Sequence, residues 1–199
     1  VADEVICGFG RTGQMFGSQT YGIEPDVMVM SKAITSTYFP FSAIMINDRV
    51  FEPVADESDL IGVLGHGFTS GGHPTGAAIA VENLKIIEER GLIAHAAEMG
   101  DYMQSRLGEL ASHRLVGEVR GVGLLGAIEL VRDKERKTAL ETPGALGAMA
   151  NNAMQENGII SRNMMDALAF CPPLIVERTD IDFMIDITRK SLDEVQAAL

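Results

Sequence analysis

The chain has little that would serve a disulfide framework, a nucleic-acid partner or a membrane span. Its 199 residues include only two cysteines, Cys7 and Cys171. Each stands beside apolar residues, which favours two reduced thiols over a disulfide. Lysine and arginine number 16 against 28 acidic residues, and the net charge of −12 disfavours nucleic acid and anionic membranes as partners. No apolar run approaches the ~18 residues of a bilayer span, so we expect a cytoplasmic protein.

The beginning of the chain also lacks the features of a natural N-terminus. The segment "VADEVIC" opens as if it lay within a strand, with no turn, cap or charged leader ahead of it. A domain rarely begins inside a core strand, and no signal peptide is visible. We therefore expect a fragment whose missing part lies upstream.

The order of the predicted elements indicates an α/β fold. Hydrophobic residues make up 46% of the chain, enough for a sizeable core. Apolar runs predict strands, periodic spacing predicts helices, and 49–73 is expected to be mostly loop. The predicted strands cover 1–7, 27–30, 41–48, 118–131 and 159–162. The predicted helices begin at Pro74, span 94–112 and 145–157, and begin again after a Thr179 cap. The long helix from Pro74 leads into a second domain, which divides the chain into 1–92 and 93–199.

Two motifs in the chain suggest chemistry that their surroundings disfavour. "GFGRTG" follows a strand as a dinucleotide-binding fingerprint does, but that fingerprint requires a helix opening at its last glycine. Gly13 is followed instead by "QMFGSQTYGIEPD", which holds more glycines and a proline. His66 and His73 flank "GFTSGG", and their spacing fits no common metal motif. We therefore predict neither a nicotinamide or flavin cofactor nor a metal.

A lysine stands where the sequence predicts a buried strand to end. Val27–Met30 are four consecutive apolar residues, which is typical of a parallel strand buried on both faces, and Lys32 follows almost directly. Removing an amine from water at such a place favours its neutral form, a nucleophile toward carbonyl groups. A structural lysine held in a salt bridge explains the same position equally well.

Two further features would complete a pocket for pyridoxal phosphate around this lysine. Asp3 and Glu4 lie in the first predicted strand, where their side chains point to opposite faces. One carboxylate can then serve a site while the other forms a structural ion pair, although a half-exposed strand would look the same. The segment "TSGGHP" precedes a helix, and its hydroxyls and N–H groups suit a phosphate or an ordinary helix cap.

Taken together, the chain resembles the class III (ω-) aminotransferases of the fold-type I pyridoxal phosphate superfamily. The resemblance rests on "DEVICGFGRTGQMFG", "PDVMVMSKAITSTYFPFSA", "HGFTSGGHPTGAA" and "VRGVGLLGAIEL", in that order. It implies an α/β fold that is the C-terminal half of a fold-type I transferase. In that fold, 1–92 is part of the cofactor-binding large domain, with a mixed, mostly parallel sheet and helices, and 93–199 is a small α/β domain. The N-terminal half of the family fold is absent, so we expect these residues alone to be inactive.

The resemblance also implies roles for individual residues. Lys32 resembles the lysine that binds the cofactor covalently, Asp3 the partner of the pyridine nitrogen, and Val5 the apolar residue that packs on the ring. Thr69 resembles the threonine that reaches the cofactor phosphate of the neighbouring subunit, which implies a homodimer with shared active sites. Arg162, in "SRNMMDALAFCPPL", resembles the arginine that binds the substrate carboxylate in amine and ω-amino acid:pyruvate transaminases. A surface arginine at a strand end would give the same pattern.

The expected function is therefore that of a pyridoxal phosphate-dependent transaminase. It would move an amino group from an amine or ω-amino acid to a keto acid, with pyruvate as the expected acceptor. The same motifs are compatible with an ornithine, γ-aminobutyrate or diamino acid transaminase or with an aminomutase. A truncated remnant that keeps the fold without the chemistry is a further alternative.

Overall fold

The computed structural model describes residues 1–136 and 138–199. They form two compact units, Val1–Ala94 (unit 1) and His95–Leu199 (unit 2). Within the part of the chain described, no helix is both long and apolar enough to cross a membrane.

Unit 1 contains a three-stranded sheet in the order β1 (Ala2–Asp3), β2 (Val27–Met30), β3 (Ala43–Ile46). β1 runs parallel to β2, and β3 runs antiparallel to it, so the sheet is mixed. β2 has the predicted bounds, but its first three residues are only half-buried rather than buried on both faces. β1 is shorter than the predicted strand 1–7 because the chain turns directly after it, where the N–H of Gly8 donates to the carbonyl of Glu4 at 2.9 Å.

The helices of unit 1 are α1 (Gly17–Thr20), α2 (Asp48–Ile61) and α3 (Pro74–Glu89), with a 3-10 turn at Lys32–Ile34. The prediction that 49–73 is mostly loop was wrong for α2. Asn47 caps this helix by accepting the N–H of Val50 at 3.2 Å, and the helix continues through Pro53. α3 begins at Pro74 as predicted, with the proline in the first turn, where no N–H is needed.

Unit 2 packs helices against a four-stranded sheet. α4 (Leu92–Glu109) begins in the last residues of unit 1. A 3-10 turn connects it to β4 (Val116–Val122), which is followed by β5 (Leu125–Leu130). Then follow α5 (Ala145–Glu156), β6 (Arg162–Met164), β7 (Ala167–Phe170) and α6 (Arg178–Ala198). The strand order is β4-β5-β7-β6, with every neighbouring pair antiparallel.

Three predictions for unit 2 need correction. The segment 118–131 is a hairpin rather than one strand, because Gly123 turns the chain with a φ of 54° that glycine adopts at no steric cost. The strand predicted at 159–162 begins only at Arg162, and β7 was not predicted. The last helix is capped by Glu177 rather than Thr179: the N–H of Glu177 donates to the side chain of Asp180 at 3.0 Å.

The main hydrophobic core lies in unit 2, between its helices and one face of its sheet. The core residues on the strands are Val116, Ile128, Leu130, Leu168 and Phe170. Those on the helices include Met103, Leu107, Leu146, Met154, Ile181, Ile185 and Leu192. The periodic apolar spacing of α4, α5 and α6 supplies one buried stripe per helix, which explains why these segments fold as they do.

Candidate active site

Asp3 and Lys32 lie at the same edge of the unit 1 sheet. Asp3 is the last residue of β1 and pairs with Val29 of the parallel strand β2, and Lys32 follows the end of β2. The carboxyl ends of adjacent parallel strands meet at one edge of a sheet, which is where α/β proteins place ligands. The structure therefore brings together a carboxylate and an amine that stand far apart in the sequence.

The backbone turns sharply at Lys32 and again shortly after it. Lys32, Ser36 and Thr37 have φ values of 44°, 47° and 63°, a region that residues other than glycine rarely enter. Asn83 of α3 holds this segment, because its side-chain amide donates to the carbonyl of Ala33 at 2.8 Å and its Oδ1 accepts the hydroxyl of Ser36 at 2.7 Å. Backbone strain that is fixed by a specific side chain is typical of functional sites.

Lys32 is exposed, so the expectation of an amine buried at the strand end was wrong for these residues. The physical reason is the 3-10 turn, which begins at Lys32, so the residue no longer belongs to the apolar strand Val27–Met30. The salt-bridge alternative also finds no support, since no carboxylate within the described ranges forms an ion pair with Lys32. The amine is free to reach a ligand at this edge.

The side chains of Asp3 and Glu4 differ sharply in their surroundings. Asp3 is exposed, and its Oδ1 accepts the N–H of half-buried Val5 at 3.0 Å, which fixes the direction of the carboxylate. Glu4 is 2% exposed and accepts the N–H groups of Gly17 and Ser18 at 2.8 and 2.6 Å. The structural role predicted for one of the two acids thus falls to Glu4, but its partners are backbone N–H groups rather than a cation.

The Glu4 carboxylate also explains the glycine-rich motif "GFGRTGQMFG". It holds the first turn of α1, a helix of only four residues, and so closes the loop that connects β1 to α1. Gly17 approaches Cys7 so closely that a Cβ there would lie 2.8 Å from the Cys7 Cβ. No long helix opens at Gly13, which agrees with the rejection of a dinucleotide fingerprint.

Thr69 lies in an exposed loop that precedes α3. The loop turns where the N–H of Gly71 donates to the carbonyl of Phe68 at 2.8 Å. The cap of α3 is His73, whose Nδ1 accepts the N–H of Thr75 at 3.3 Å, so no Ser or Thr hydroxyl is used as the cap. The described residues contain no group of His, Cys, Asp and Glu side chains that could hold a metal ion.

Arg162 is the first residue of β6 and belongs to unit 2, whereas the other four predicted residues belong to unit 1. β6 is an edge strand, and Arg162 pairs with Ala169 of β7. Its side chain is exposed on the sheet face opposite buried Leu168. An exposed guanidinium on a short edge strand can grip a carboxylate with two hydrogen bonds.

A cavity of about 310 Å³ in unit 2 does not include any of the five predicted residues. It is mostly apolar, with Ile159, Phe170, Pro173, Val176, Phe183 and Met184 among its lining residues. Its lining includes a hydroxyl, a thiol and a carboxylate, from Ser161, Cys171 and Asp180, but no lysine. The amine and carboxylate at the unit 1 edge are therefore the better candidate for chemistry, although that edge is an open surface.

A charge network connects α4 and α6 in unit 2. Arg106 donates to Asp182 and Asp186, each at 2.9 Å, and is also bonded to Glu109. Tyr102 donates its hydroxyl to Asp182 at 2.6 Å. The hydrogen bond from Tyr102 is the largest cause that lowers the pKa of Asp182, and the hydrogen bond from Arg106 lowers it further. Partial removal of water from the carboxylate acts in the opposite direction and raises this pKa.

Sequence reasoning missed the residues that hold the site in place. Asn83 carried a signal, because it is a polar residue one turn from the buried Ala80 and Ile87 positions of α3. No feature of the sequence indicated that backbone N–H groups bind Glu4, because the spacing of side chains does not show which acceptor a backbone N–H group uses.

Pyridoxal phosphate fits the residues that the structure places at this edge. Its aldehyde requires an accessible amine and its ring nitrogen a carboxylate, and Lys32 and Asp3 supply both from adjacent strand ends. Asp3 is already oriented by the N–H of Val5, and the exposed Lys32 amine can reach outward.

Sequence comparisons point to one family. Residues 1–192 match the family described as aminotransferase class-III. The chain is 42% identical to a putrescine–pyruvate aminotransferase of Pseudomonas aeruginosa and 41% identical to a diaminobutyrate–2-oxoglutarate transaminase of Halomonas elongata. Each alignment covers 100% of this chain but 43% of the relative, so the chain spans less than half the length of these proteins.

Solved structures agree with this result. A structure described as a transaminase with L-Ala superposes with a TM-score of 0.98 at 59% identity, over 99% of this chain and 46% of that chain. The ω-transaminase of Pseudomonas jessenii in complex with PMP gives 0.95 at 53%, over 98% of this chain and 43% of that one. The mixed α/β fold is thus part of a fold-type I transferase, and the chain belongs to the class III aminotransferases.

Proposed function

We propose that the protein transfers an amino group from an amine or ω-amino acid to a keto acid, with pyruvate as the acceptor and pyridoxal phosphate as the cofactor. The observation that carries the proposal is the meeting of Asp3 and Lys32 at one edge of the sheet. When bound, the cofactor supplies an aldehyde and an electron-accepting ring. The reaction takes place in the cytoplasm.

Lys32 has two tasks in this proposal. Its Nζ would hold the cofactor through the aldehyde, and once the substrate amine has taken that place, the freed Lys32 amine would accept the proton from the substrate carbon. Both tasks need an amine that is exposed and reproducibly directed. The strained backbone at Lys32, held through Asn83, supports such a direction.

Asp3 holds the proton on the ring nitrogen. A carboxylate is the group that stabilises a positive charge there, and a charged ring withdraws electrons more strongly than a neutral one. Val5 would supply an apolar side chain to the surface that holds the ring. The N–H of Val5 also donates to the Asp3 carboxylate, so the backbone of one residue orients the side chain of the other.

Arg162 binds the carboxylate of the keto acid, and Thr69 binds the cofactor phosphate of a partner subunit in a homodimer. The guanidinium matches a carboxylate in shape and charge. The exposed position of Thr69 in the loop before α3 is compatible with a contact to a second chain. Each active site then needs residues from two subunits.

The choice of pyruvate rests on similarity. The Pseudomonas aeruginosa relative is named for putrescine and pyruvate, and the solved relatives include an ω-transaminase. The Halomonas elongata relative, named for diaminobutyrate and 2-oxoglutarate, is almost as similar, which keeps a dicarboxylate acceptor as the second candidate. Steady-state rates with pyruvate and 2-oxoglutarate as competing acceptors separate the two.

The test of the proposal is Lys32→Ala in the full-length protein, with Lys85→Ala as the matched control. Lys85 is another exposed lysine of unit 1 and forms only a 3.8 Å pair with Glu82. We expect Lys32→Ala to lose both the yellow absorbance of the bound cofactor and the mass increase after borohydride treatment, whereas Lys85→Ala keeps both. If borohydride treatment still fixed the cofactor covalently on Lys32→Ala, the assignment of Lys32 would be overturned. If it fixed no cofactor on the unmodified protein, the non-catalytic alternative would be favoured.

A further inference from the structure

Asp166 is a buried carboxylate that the proposed function does not use. It is 7% exposed and lies with Met165 in the two-residue turn between β6 and β7. Met165 has a φ of 55°, so the turn takes a conformation that residues other than glycine rarely adopt. A buried charge in a strained turn is costly unless it makes compensating hydrogen bonds.

Both carboxylate oxygens of Asp166 accept hydrogen bonds from the beginning of α5. Oδ2 accepts the N–H of Gly144 at 3.1 Å, and Oδ1 accepts the N–H of Gly147 at 2.9 Å. Gly144 is the N-cap residue of α5 and has no side chain with which to cap it. The first N–H groups of a helix have no partner within the helix, and the turn after β6 provides that partner from outside.

The turn and the helix are in direct backbone contact. A Cβ built on Gly147 would lie 2.0 Å from the carbonyl oxygen of Met165, so any side chain at this position would push the turn away. The fit therefore needs both a glycine on α5 and a carboxylate in the turn. Together they fix the end of β6 against α5.

The other end of β6 is attached to the same helix. The hydroxyl of Ser161 donates to Oδ1 of Asn151 in α5 at 2.7 Å. Among the described residues, β6 is an edge strand of three residues that pairs with β7 alone, so these two attachments supply what a second neighbouring strand would supply. Arg162 lies between them, next to Ser161 and four residues before Asp166.

We propose that Asp166 is a positioning residue for Arg162: by fixing the β6–β7 turn to α5, it sets the place from which the guanidinium reaches a substrate carboxylate. The inference rests on the proposed function, in which Arg162 binds the keto acid. Asp166 holds the strand and does not touch the ligand. Its loss should therefore impair the half-reaction with the keto acid, which uses Arg162, and leave unchanged a half-reaction that does not use Arg162.

The experiment compares the two half-reactions of the full-length holoenzyme carrying Asp166→Asn. Asparagine keeps the shape and one acceptor oxygen but turns an NH₂ donor toward a helix N–H group. We expect the KM for pyruvate to rise about tenfold, which corresponds to about 1.4 kcal/mol. The half-reaction with an amine that has no carboxylate should change less than twofold. Amide hydrogen exchange at Gly144 and Gly147 should become faster, which reports the loss of the attachment without relying on activity.

A matched control separates positioning from general loosening of unit 2. Ile185→Val removes one methyl group from a fully buried core position on α6, the helix at the end of the chain. This variant should lower the melting temperature, and it should change the rates of the two half-reactions by the same factor. Should Asp166→Asn not fold, Asp166→Ser, whose shorter side chain turns no NH₂ donor toward the helix, takes its place and should show the same split.

A double-mutant cycle with Arg162→Ala completes the test. On the Arg162→Ala background, Asp166→Asn should add less than twofold to the KM for pyruvate. Full additivity, or equal losses in both half-reactions, would overturn the positioning role. If Arg162→Ala raises the KM and Asp166→Asn does not, only this inference fails. If Arg162→Ala itself leaves the KM unchanged, the proposed role of Arg162 fails and this inference fails with it.

Discussion

The two units differ in how they achieve order. Unit 2 surrounds a continuous core, while unit 1 buries few large apolar side chains and exposes many. In β3, Ile44, Met45 and Ile46 are all exposed although successive side chains point to opposite faces, and α2 has no buried residue. Exposed apolar patches of this extent are typical of surfaces that pack against further protein.

The candidate site lies in the unit with less internal packing. In unit 1, local hydrogen bonds rather than a core position the candidate site, as Glu4 does for the loop after β1 and Asn83 for the turn after Lys32. In unit 2, the core determines the sheet, and Arg162 depends on how an edge strand is attached to it. The two units should therefore respond differently to the same kind of change.

The largest difference should appear when the units are expressed separately. Residues 92–199, which keep α4 whole, should unfold in urea with one cooperative transition, because their core lies within the segment. Residues 1–91 should show no cooperative transition, because many of their apolar side chains are exposed to solvent. Circular dichroism and tryptophan-free tyrosine fluorescence follow both. A sharp transition in 1–91 would remove the distinction between the units.

The next largest effect comes from truncating two matched leucines. Leu107 in α4 is fully buried, whereas Leu60 in α2 is 80% exposed. Leu107→Ala should lower the free energy of unfolding by about 2–5 kcal/mol through the cavity it leaves. Leu60→Ala should change it by less than about 0.5 kcal/mol. Urea titration of the 199-residue chain measures both, and similar losses would mean that α2 is packed as firmly as α4.

The neighbouring acids of unit 1 should separate function from stability. Asp3→Asn should reduce turnover of the full-length protein at least a hundredfold, or about 2.7 kcal/mol, because an amide does not hold the ring proton. Its melting temperature should stay the same, since Asp3 is exposed. Glu4→Gln should do the reverse and destabilise by about 1–3 kcal/mol, because it leaves a buried N–H without an acceptor. The same pattern in both variants would contradict the assignment of the two acids.

The smallest effect concerns the pH dependence of unit 2. Folding lowers the pKa of Asp182, mainly through the hydrogen bond from Tyr102, so its contribution is present above the ordinary carboxyl pKa of about 3.9. The contribution is lost as the pH falls through the lowered value. Melting temperatures between pH 5 and 2 should fall less steeply for Asp182→Asn than for the unmodified chain. The control is Asp186→Asn, which removes an acid that is bound to Arg106 but not to Tyr102. If both variants changed the pH dependence of the melting temperature equally, the contribution of Tyr102 would be excluded.

The sequence predicted those elements whose signals are local. Val27–Met30 is an apolar run with turn residues before it, and Pro74 marks a helix start, so both were found at their actual bounds. The family motifs led to Lys32 and Asp3, which the structure places at one sheet edge. The roles of all five residues (Asp3, Val5, Lys32, Thr69 and Arg162) stay predictions, because they concern a cofactor, a partner chain and a substrate.

The errors arose where a specific hydrogen bond, rather than the spacing of apolar residues, decides the structure. α2 forms despite Pro53 because Asn47 caps it, and the predicted first strand ends at Asp3 because the chain turns back on Glu4. β7 escaped prediction because the turn at Asp166 depends on α5, which lies before it in the sequence. Side-chain periodicity does not record such contacts.

The left-handed backbone that follows Lys32 has a consequence for protein engineering. Thr37 is β-branched and holds a φ of 63°, and conformations of this kind cost on the order of 1–3 kcal/mol each. That cost lies in the segment beside the candidate nucleophile, where a search for thermostability alone would remove it first. Libraries that reward heat resistance should therefore accumulate glycine at positions 36 and 37, and such variants would trade catalytic rate for a higher melting temperature.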